Sequence, residues 1–120
     1  MTIIHASYVL AVPNLARASA YWREVLGFAR QAEPPGWDFL VRDGCRVMLG
    51  ECPDDLPPHQ LGSHSYFAYV IVDDLDAFHA EIGARGAIVP NPPADKPWGM
   101  REMVVFTPDG HRLMFAQDLA

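Results

Sequence analysis

Residues 8–15, YVLAVPNL, and residues 68–75, AYVIVDDL, decide the fold because they repeat one pattern sixty residues apart. Each stretch has five mostly apolar residues, typical of a strand, followed by two further residues and a leucine. The residue directly before the leucine, Asn14 or Asp74, can accept a hydrogen bond from the unpaired amides that begin a helix. The sequence therefore predicts the same strand-to-helix junction twice.

The residues that follow each leucine predict an amphipathic helix, because apolar residues recur there at helical spacing. The first helix is expected to end at Gly27 and the second at Gly86, since glycine readily leaves the helical conformation. The apolar stripes are Leu15, Ala18, Trp22, Val25 and Leu26 in the first helix, and Leu75, Phe78 and Ile82 in the second.

Turn signals after each helix predict short strands. Asp43-Gly44 is a hairpin dipeptide whose glycine is expected to supply the positive φ. Pro108-Asp109-Gly110 is a comparable signal in the second half. The strands on either side of these turns are predicted at residues 37–41, 46–49, 103–106 and 112–115.

These elements predict an α+β protein, a single domain of residues 1–120 that contains two βαβββ modules. The modules are expected at residues 1–52 and 64–120, with a proline-rich connector at residues 53–63. Because the helix of each module covers only one face of its sheet, two curved mixed sheets, of one chain or of two chains in a dimer, should pair around a cleft. Such a cleft is the natural place for a ligand.

The composition indicates a folded protein and excludes several functions. Half of the 120 residues are hydrophobic, which is enough for a packed core. The net charge is −6 and the basic residues are dispersed, which argues against nucleic-acid binding and favours a cationic small molecule. No apolar run approaches ~18 residues and no leader is evident, so we expect a cytoplasmic protein with no membrane association. Cys45 and Cys52 are expected to be free thiols.

Three short motifs carry a resemblance to a known family. Leu26-Gly27-Phe28 ends the first helix, Pro97-Trp98-Gly99 precedes a strand, and the Pro-Asp-Gly turn follows that strand. Together with the doubled βαβββ unit, they resemble the vicinal oxygen chelate superfamily, which includes glyoxalase I, ring-cleaving dioxygenases and bleomycin-resistance proteins. Residues 96–102, KPWGMRE, are similar to the stretch before the last hairpin of bleomycin-resistance proteins. The resemblance implies the glyoxalase/bleomycin-resistance fold and a two-fold homodimer.

The resemblance also implies where a metal would be held. Catalytic members of the superfamily use side chains from the first and last strands of each module, typically His or Gln at the first and Glu at the last. The matching positions here are Ser7, Met48, Phe67 and Met114. A hydroxyl, two thioethers and a phenyl ring do not suit a divalent cation. We therefore expect no metal and no other cofactor.

The histidines give little support to a metal site. His5 lies ten residues before the first leucine of its helix and His64 lies eleven before the matching leucine. Strand alternation would therefore place the two on opposite faces of the related sheets. Glu102 is on a predicted strand but has no histidine partner at ligand spacing, and His111, which follows a turn, is expected to be exposed.

Aromatic residues give the positive signal for binding. In bleomycin-resistance proteins, the flat part of the drug lies between an aromatic residue of an early strand and the tryptophan of the Pro-Trp-Gly loop. The resemblance assigns these positions to Trp37 and Trp98, which should face a common cleft. Gly99, Arg101 and Glu102 complete the predicted ligand-binding residues, with Arg101 and Glu102 as the polar groups that give specificity. The alternative is that both tryptophans only cap the hydrophobic core.

The leading functional hypothesis is a metal-free protein that binds a planar, cationic antibiotic or metabolite and sequesters it without turnover. Phe106-Thr107 stands where bleomycin-binding members commonly have Arg-Asp, which leaves the ligand's identity open. The alternative is a metal-dependent lyase, isomerase or dioxygenase of the same superfamily that uses His5, His64 and Glu102 as ligands. A third hypothesis is a regulatory or structural module with an occluded cleft. Metal analysis separates the first two.

Overall fold

The computed structural model describes residues 1–61 and 66–120. The chain divides into two compact units, Met1–Leu56 and Pro57–Ala120. Each unit is a βαβββ arrangement with one mixed sheet of four strands. The α+β class and the mixed sheets predicted from the sequence are therefore confirmed. In the described ranges, no helix combines the length and apolar character needed to cross a membrane.

The first unit contains one sheet and one helical segment. Its elements are β1 (Tyr8–Val12), α1 (Leu15–Ala20), a π-helical turn (Tyr21–Val25), β2 (Ala29–Ala32), β3 (Trp37–Arg42) and β4 (Cys45–Glu51). The strand order is β1-β4-β3-β2. β1 runs parallel to β4, and the other pairs are antiparallel.

Alternation along the strands separates two faces of this sheet. One face packs against the helical segment and forms the core, where Trp22 lies edge-to-face against Phe28 with ring centres 4.9 Å apart. The opposite face, here called the open face, carries no helix. The buried residues of the core include Leu10, Val12, Trp22, Leu26, Leu40, Val47 and Leu49.

The second unit repeats this plan. Its elements are β5 (Tyr66–Ile71), α2 (Leu75–Ala84), β6 (Ala94–Asp95), β7 (Met100–Phe106) and β8 (Arg112–Asp118), preceded by a 3₁₀ turn at Pro58–Gln60. The strand order is β5-β8-β7-β6, with β5 parallel to β8. Its core lies between α2 and one face of the sheet, and the other face is again open. The core residues are Ala68, Leu75, Ile82, Met103, Val105, Leu113 and Phe115.

Both helices begin as the sequence predicts. The side chain of Asn14 accepts a hydrogen bond from the amide of Arg17, and that of Asp74 accepts one from the amide of Ala77, each at 3.0 Å. The last strand of each unit also supplies an acceptor for the first helical amide: Glu51 for the first helix and Gln117 for the second. The repeat therefore extends to equivalent contacts between distant residues.

Three local expectations are wrong. The first helix changes from α to π geometry after Ala20. In the Asp43-Gly44 turn, Asp43 and not the glycine has the positive φ, at 50°, and aspartate tolerates this region better than most residues. His111 is buried rather than exposed, because its backbone amide and its ring both contact the Thr107 hydroxyl group.

Candidate ligand-binding site

A cavity of about 610 Å³ lies over the open face of the second sheet. Its walls come from β5, β7 and β8 and from the segment between residues 90 and 98. We call it the Trp98 cavity. Its lining is mostly aromatic, aliphatic and thioether surface, and the charged residues that line it are Lys96, Glu102 and Arg112. This composition is typical of sites for small organic molecules.

Glu102 is the buried carboxylate of the cavity. It lies on β7 and is only 8% exposed. One carboxylate oxygen, Oε2, accepts hydrogen bonds from the indole N–H of Trp98 at 2.8 Å and from the hydroxyl group of Tyr69 at 2.6 Å. Both donors are uncharged. They hold the carboxylate in place but do not neutralise its negative charge. A cationic ligand group is the natural complement of such a site.

Tyr69 is the residue that sequence analysis missed. It lies on β5, opposite Met114 of β8, and reaches Glu102 across the open face. Burial, the hydrogen bond to Glu102 and the charge of that carboxylate raise the pKa of Tyr69 to about 12. The hydroxyl group therefore remains a donor at any physiological pH. Strand alternation could have placed Tyr69 on the open face, but the pairing of β5 with β8 is not evident from local sequence.

Trp98 is presented by a tight turn. The amide of Gly99 donates to the carbonyl of Lys96 at 3.1 Å, and the amide of Lys96 donates to the carbonyl of Met100 at 2.7 Å. Gly99 has a φ of 84°, which favours glycine. The indole is 65% exposed although its N–H is bonded to Glu102. Trp98 therefore offers an aromatic surface beside a carboxylate, and Gly99 contributes by shaping the turn.

Arg101 lies on the other side of β7, away from the Trp98 cavity. Its guanidinium group donates to Asp76 at the start of α2 and to Asp95 on β6, at 2.9 and 3.0 Å. These hydrogen bonds raise the pKa of Arg101. The structure does not bring Arg101 together with Trp98 and Glu102, and its visible role is to join α2 to β6.

Trp37 belongs to the first unit. It lies on the open face of β3, edge-to-face with Phe39, with ring centres 6.2 Å apart. The indole covers Gly50 so closely that a Cβ atom there would lie 2.9 Å from the ring. Because Trp37 and Trp98 lie in different units, their common cleft stays a prediction.

The residues at the superfamily's ligand positions do not fit a metal. Met48 and Met114 offer thioethers, the Phe67 ring packs edge-to-face against His111, and Ser7 is an exposed hydroxyl before β1. In the part of the chain that the structure describes, no three His, Cys, Asp or Glu side chains cluster in a way that would hold a metal ion. His64 lies outside the described residues.

Comparisons with solved structures find the same fold in other proteins. TioX from Micromonospora sp. ML1 is 29% identical, with a TM-score of 0.74 over 96% of this chain and 98% of that chain. TnmS3, an antibiotic binding protein from Streptomyces sp. CB03234, is 25% identical, with a TM-score of 0.73 over 98% and 99%. The bleomycin-binding protein from Streptomyces verticillus, complexed with copper(II)-bleomycin, is 21% identical and shares the fold, with a TM-score of 0.76 over 96% of each chain.

Comparison with curated proteins gives no match. A family model, in contrast, covers residues 2–115. That match spans nearly the whole chain and includes both βαβββ units almost completely. The chain belongs to the Glyoxalase/Bleomycin resistance protein/Dioxygenase superfamily.

Proposed function

We propose that the chain binds a flat, cationic organic molecule of antibiotic type in the Trp98 cavity and sequesters it without turnover. The observation that carries this proposal is the buried carboxylate of Glu102, which Trp98 and Tyr69 hold against the cavity. A flat ligand would stack on the exposed indole and place its positive group on the carboxylate.

The similar structures support the same class of ligand. TnmS3 is described as an antibiotic binding protein, and the Streptomyces verticillus protein is complexed with copper(II)-bleomycin. Antibiotic sequestration is therefore the function for which this site should first be tested. The free thiols of Cys45 and Cys52 agree with the cytoplasm as the compartment that we propose.

The expected affinity comes from three terms. Stacking on Trp98 contributes about 0.5–1.5 kcal/mol beyond area burial. Burial of apolar ligand surface adds about 25 cal/mol per Å². The charge-assisted hydrogen bond to Glu102 adds about 1.5–3 kcal/mol. The net charge of −6 would also speed the capture of a cation.

Tryptophan fluorescence titration with bleomycin and with 4-amidinobiphenyl tests this proposal. Trp98→Ala should weaken binding by about 2–3 kcal/mol, because stacking and burial are lost together. Glu102→Gln should weaken binding of the amidine about tenfold, because the ligand cation loses its carboxylate partner. Glu81→Gln, at a partly exposed position of α2 outside the cavity lining, changes the net charge equally and should leave affinity unchanged.

Two outcomes would contradict the proposal. If neither compound changes the tryptophan fluorescence of the wild-type protein at high concentration, the proposed cationic ligand is excluded. Equal affinities of wild type and Trp98→Ala would show that the ligand does not stack on Trp98. Trp98→Phe refines the second result, because it keeps a ring but cannot donate to Glu102.

Elemental analysis and product analysis separate this proposal from the metal-dependent alternative. Since Ser7, Met48, Phe67 and Met114 supply no carboxylate or imidazole, protein purified without a metal-binding tag should contain no stoichiometric Zn²⁺, Fe²⁺, Mn²⁺ or Ni²⁺. Bound ligand should be recovered unchanged after denaturation. One metal per chain that is lost on mutation of His5 or His64 would assign the protein to the enzymes.

A further inference from the structure

The residues that line the Trp98 cavity have a net positive charge, although the whole chain has a net negative charge. Lys96 and Arg112 face a single carboxylate, Glu102, so the lining has a formal charge of +1, whereas the chain carries −6. A ligand with only positive groups would pair with Glu102 but offer no negative group to the two cationic side chains. The lining therefore favours a ligand that also carries a negative group.

The opposite charges are separated along the sheet. Glu102 is paired in register with Ala116, and Arg112 is paired with Phe106. The two charged positions are thus four residue steps apart along β7, a distance of about 13 Å at the rise of a β-strand. Glu102 and Arg112 consequently mark two ends of one surface.

The surface between these ends is apolar. Val104 and Met114, which are paired in register, lie between the charged positions and line the cavity. At the far end, the guanidinium carbon of Arg112 lies over the Phe106 ring, 5.9 Å from its centre. Arg112 also lines the cavity, and the planar set of donors of a guanidinium group suits a carboxylate.

We propose, on the basis of the proposed function, that the ligand is an elongated zwitterion with a flat apolar body. Its cationic group binds Glu102 beside Trp98, its body covers Val104 and Met114, and its carboxylate binds Arg112. Arg112 would repel a second positive group at the far end of the body. The site thus selects zwitterions over simple cations and over dications of the same shape.

Three probes that share one biphenyl body test this selection on the wild-type protein by fluorescence titration or calorimetry. They are 4-amidinobiphenyl, 4′-amidinobiphenyl-4-carboxylate and biphenyl-4,4′-dicarboxamidine. The zwitterion should bind about tenfold more tightly than the monocation, since it gains a charge-assisted pair. The dication should bind more weakly than the monocation.

Arg112→Gln should remove the advantage of the zwitterion and change binding of the monocation by less than about twofold. Arg112→Lys, which keeps the charge but not the planar donors, should retain part of the advantage. Arg85→Gln is the matched control, because it removes the same charge from an exposed position at the end of α2 and should leave all three affinities unchanged.

The outcomes distinguish this inference from the function on which it rests. If the monocation binds and the zwitterion binds no more tightly, the preference for zwitterions is overturned. The proposed cation site at Glu102 is then retained. If the zwitterion keeps its advantage over the monocation in Arg112→Gln, the ligand carboxylate binds a residue other than Arg112. That result also overturns the inference. Binding of none of the three probes would overturn both. The wild-type comparison stands even if an Arg112 variant fails to fold.

Discussion

At the level of single residues, the most consequential buried group outside the cavity is Asp38. It lies on the core face of β3, is 1% exposed, and accepts hydrogen bonds from Arg30 at 2.8 and 2.9 Å and from the hydroxyl group of Ser19. Burial alone would raise the pKa of Asp38, but the hydrogen bonds from Arg30 and Ser19 and the charges of Arg30 and Arg23 lower it overall. Asp38 thus joins β2 to the first helix as an ion.

Asp38→Asn should reduce the free energy of unfolding by about 2 kcal/mol at pH 7, because a buried partner of a charged group is lost. Arg30 is more than a third exposed, so solvent screening keeps the cost near the low end. A lowered folded-state pKa stabilises the protein above the usual value of 3.8, and this contribution is lost as the pH falls further.

Urea unfolding of wild type and Asp38→Asn between pH 7 and pH 2.5 checks this prediction. The difference between the two proteins should be constant above pH 5 and shrink below about 3.8. Glu33→Gln, which also removes a partner of Arg30 but at an exposed position, should change stability by less than about 0.5 kcal/mol. A difference for Asp38→Asn that does not depend on pH would show that its charge contributes nothing.

At the level of elements, the turn formed by residues 96–99 decides how Trp98 is presented. A Cβ atom at Gly99 would meet nothing within 4 Å, but φ there is 84°. Gly99→Ala should therefore cost about 1–2 kcal/mol from backbone strain alone. Because Trp98 is the neighbouring residue, ligand affinity should fall as well.

Thermal unfolding and the fluorescence titration described above measure both effects. Gly83→Ala is the control, since Gly83 lies in α2 and a Cβ atom there also meets nothing within 4 Å. It should stabilise the protein by about 0.5–1 kcal/mol, because alanine loses less backbone freedom in a helix. Unchanged stability and affinity in Gly99→Ala would mean that the turn relaxes and does not position Trp98.

Elements also show what the sequence can predict. The two strand–helix junctions were predictable, because apolar runs and the caps Asn14 and Asp74 act within a few residues. The contact of Tyr69 with Glu102 was not, since it joins residues 33 positions apart and requires the register of β5, β8 and β7. Strand alternation, in contrast, is a local signal that puts Arg101 and Glu102, consecutive residues of β7, on opposite faces of the sheet.

The π-helical turn at Tyr21–Val25 shows a second limit. The sequence of this segment has helical spacing throughout, and five residues are too few for that spacing to distinguish π from α geometry. In the structure, the amide of Leu26 donates to the carbonyl of Tyr21, and the amide of Phe28 donates to that of Trp22. Trp22 and Phe28, six residues apart, are both buried and in contact, so the packing of these two rings accompanies the change in helix geometry.

At the level of the whole molecule, the open faces leave apolar surface to be covered. Val9 on β1 and Ile71 on β5 are 61% and 58% exposed, and both strands lie at the edge of their sheets. Exposed apolar edge strands tend to pair with another chain. We therefore predict a homodimer whose interface buries more than about 1,200 Å² in total.

Sedimentation equilibrium at micromolar concentration tests the dimer, for which the expected mass is twice 13.3 kDa. The double variant Val9→Lys, Ile71→Lys should sediment as a monomer, because lysine on an edge strand opposes pairing with a second chain. Leu56→Lys replaces an equally exposed apolar residue outside the sheets and should remain dimeric. A wild-type mass of 13.3 kDa would contradict the prediction, and dimers of the double variant would move the interface away from β1 and β5. Neither result would alter the test of the Trp98 cavity, since Val9 and Ile71 are not among its lining residues.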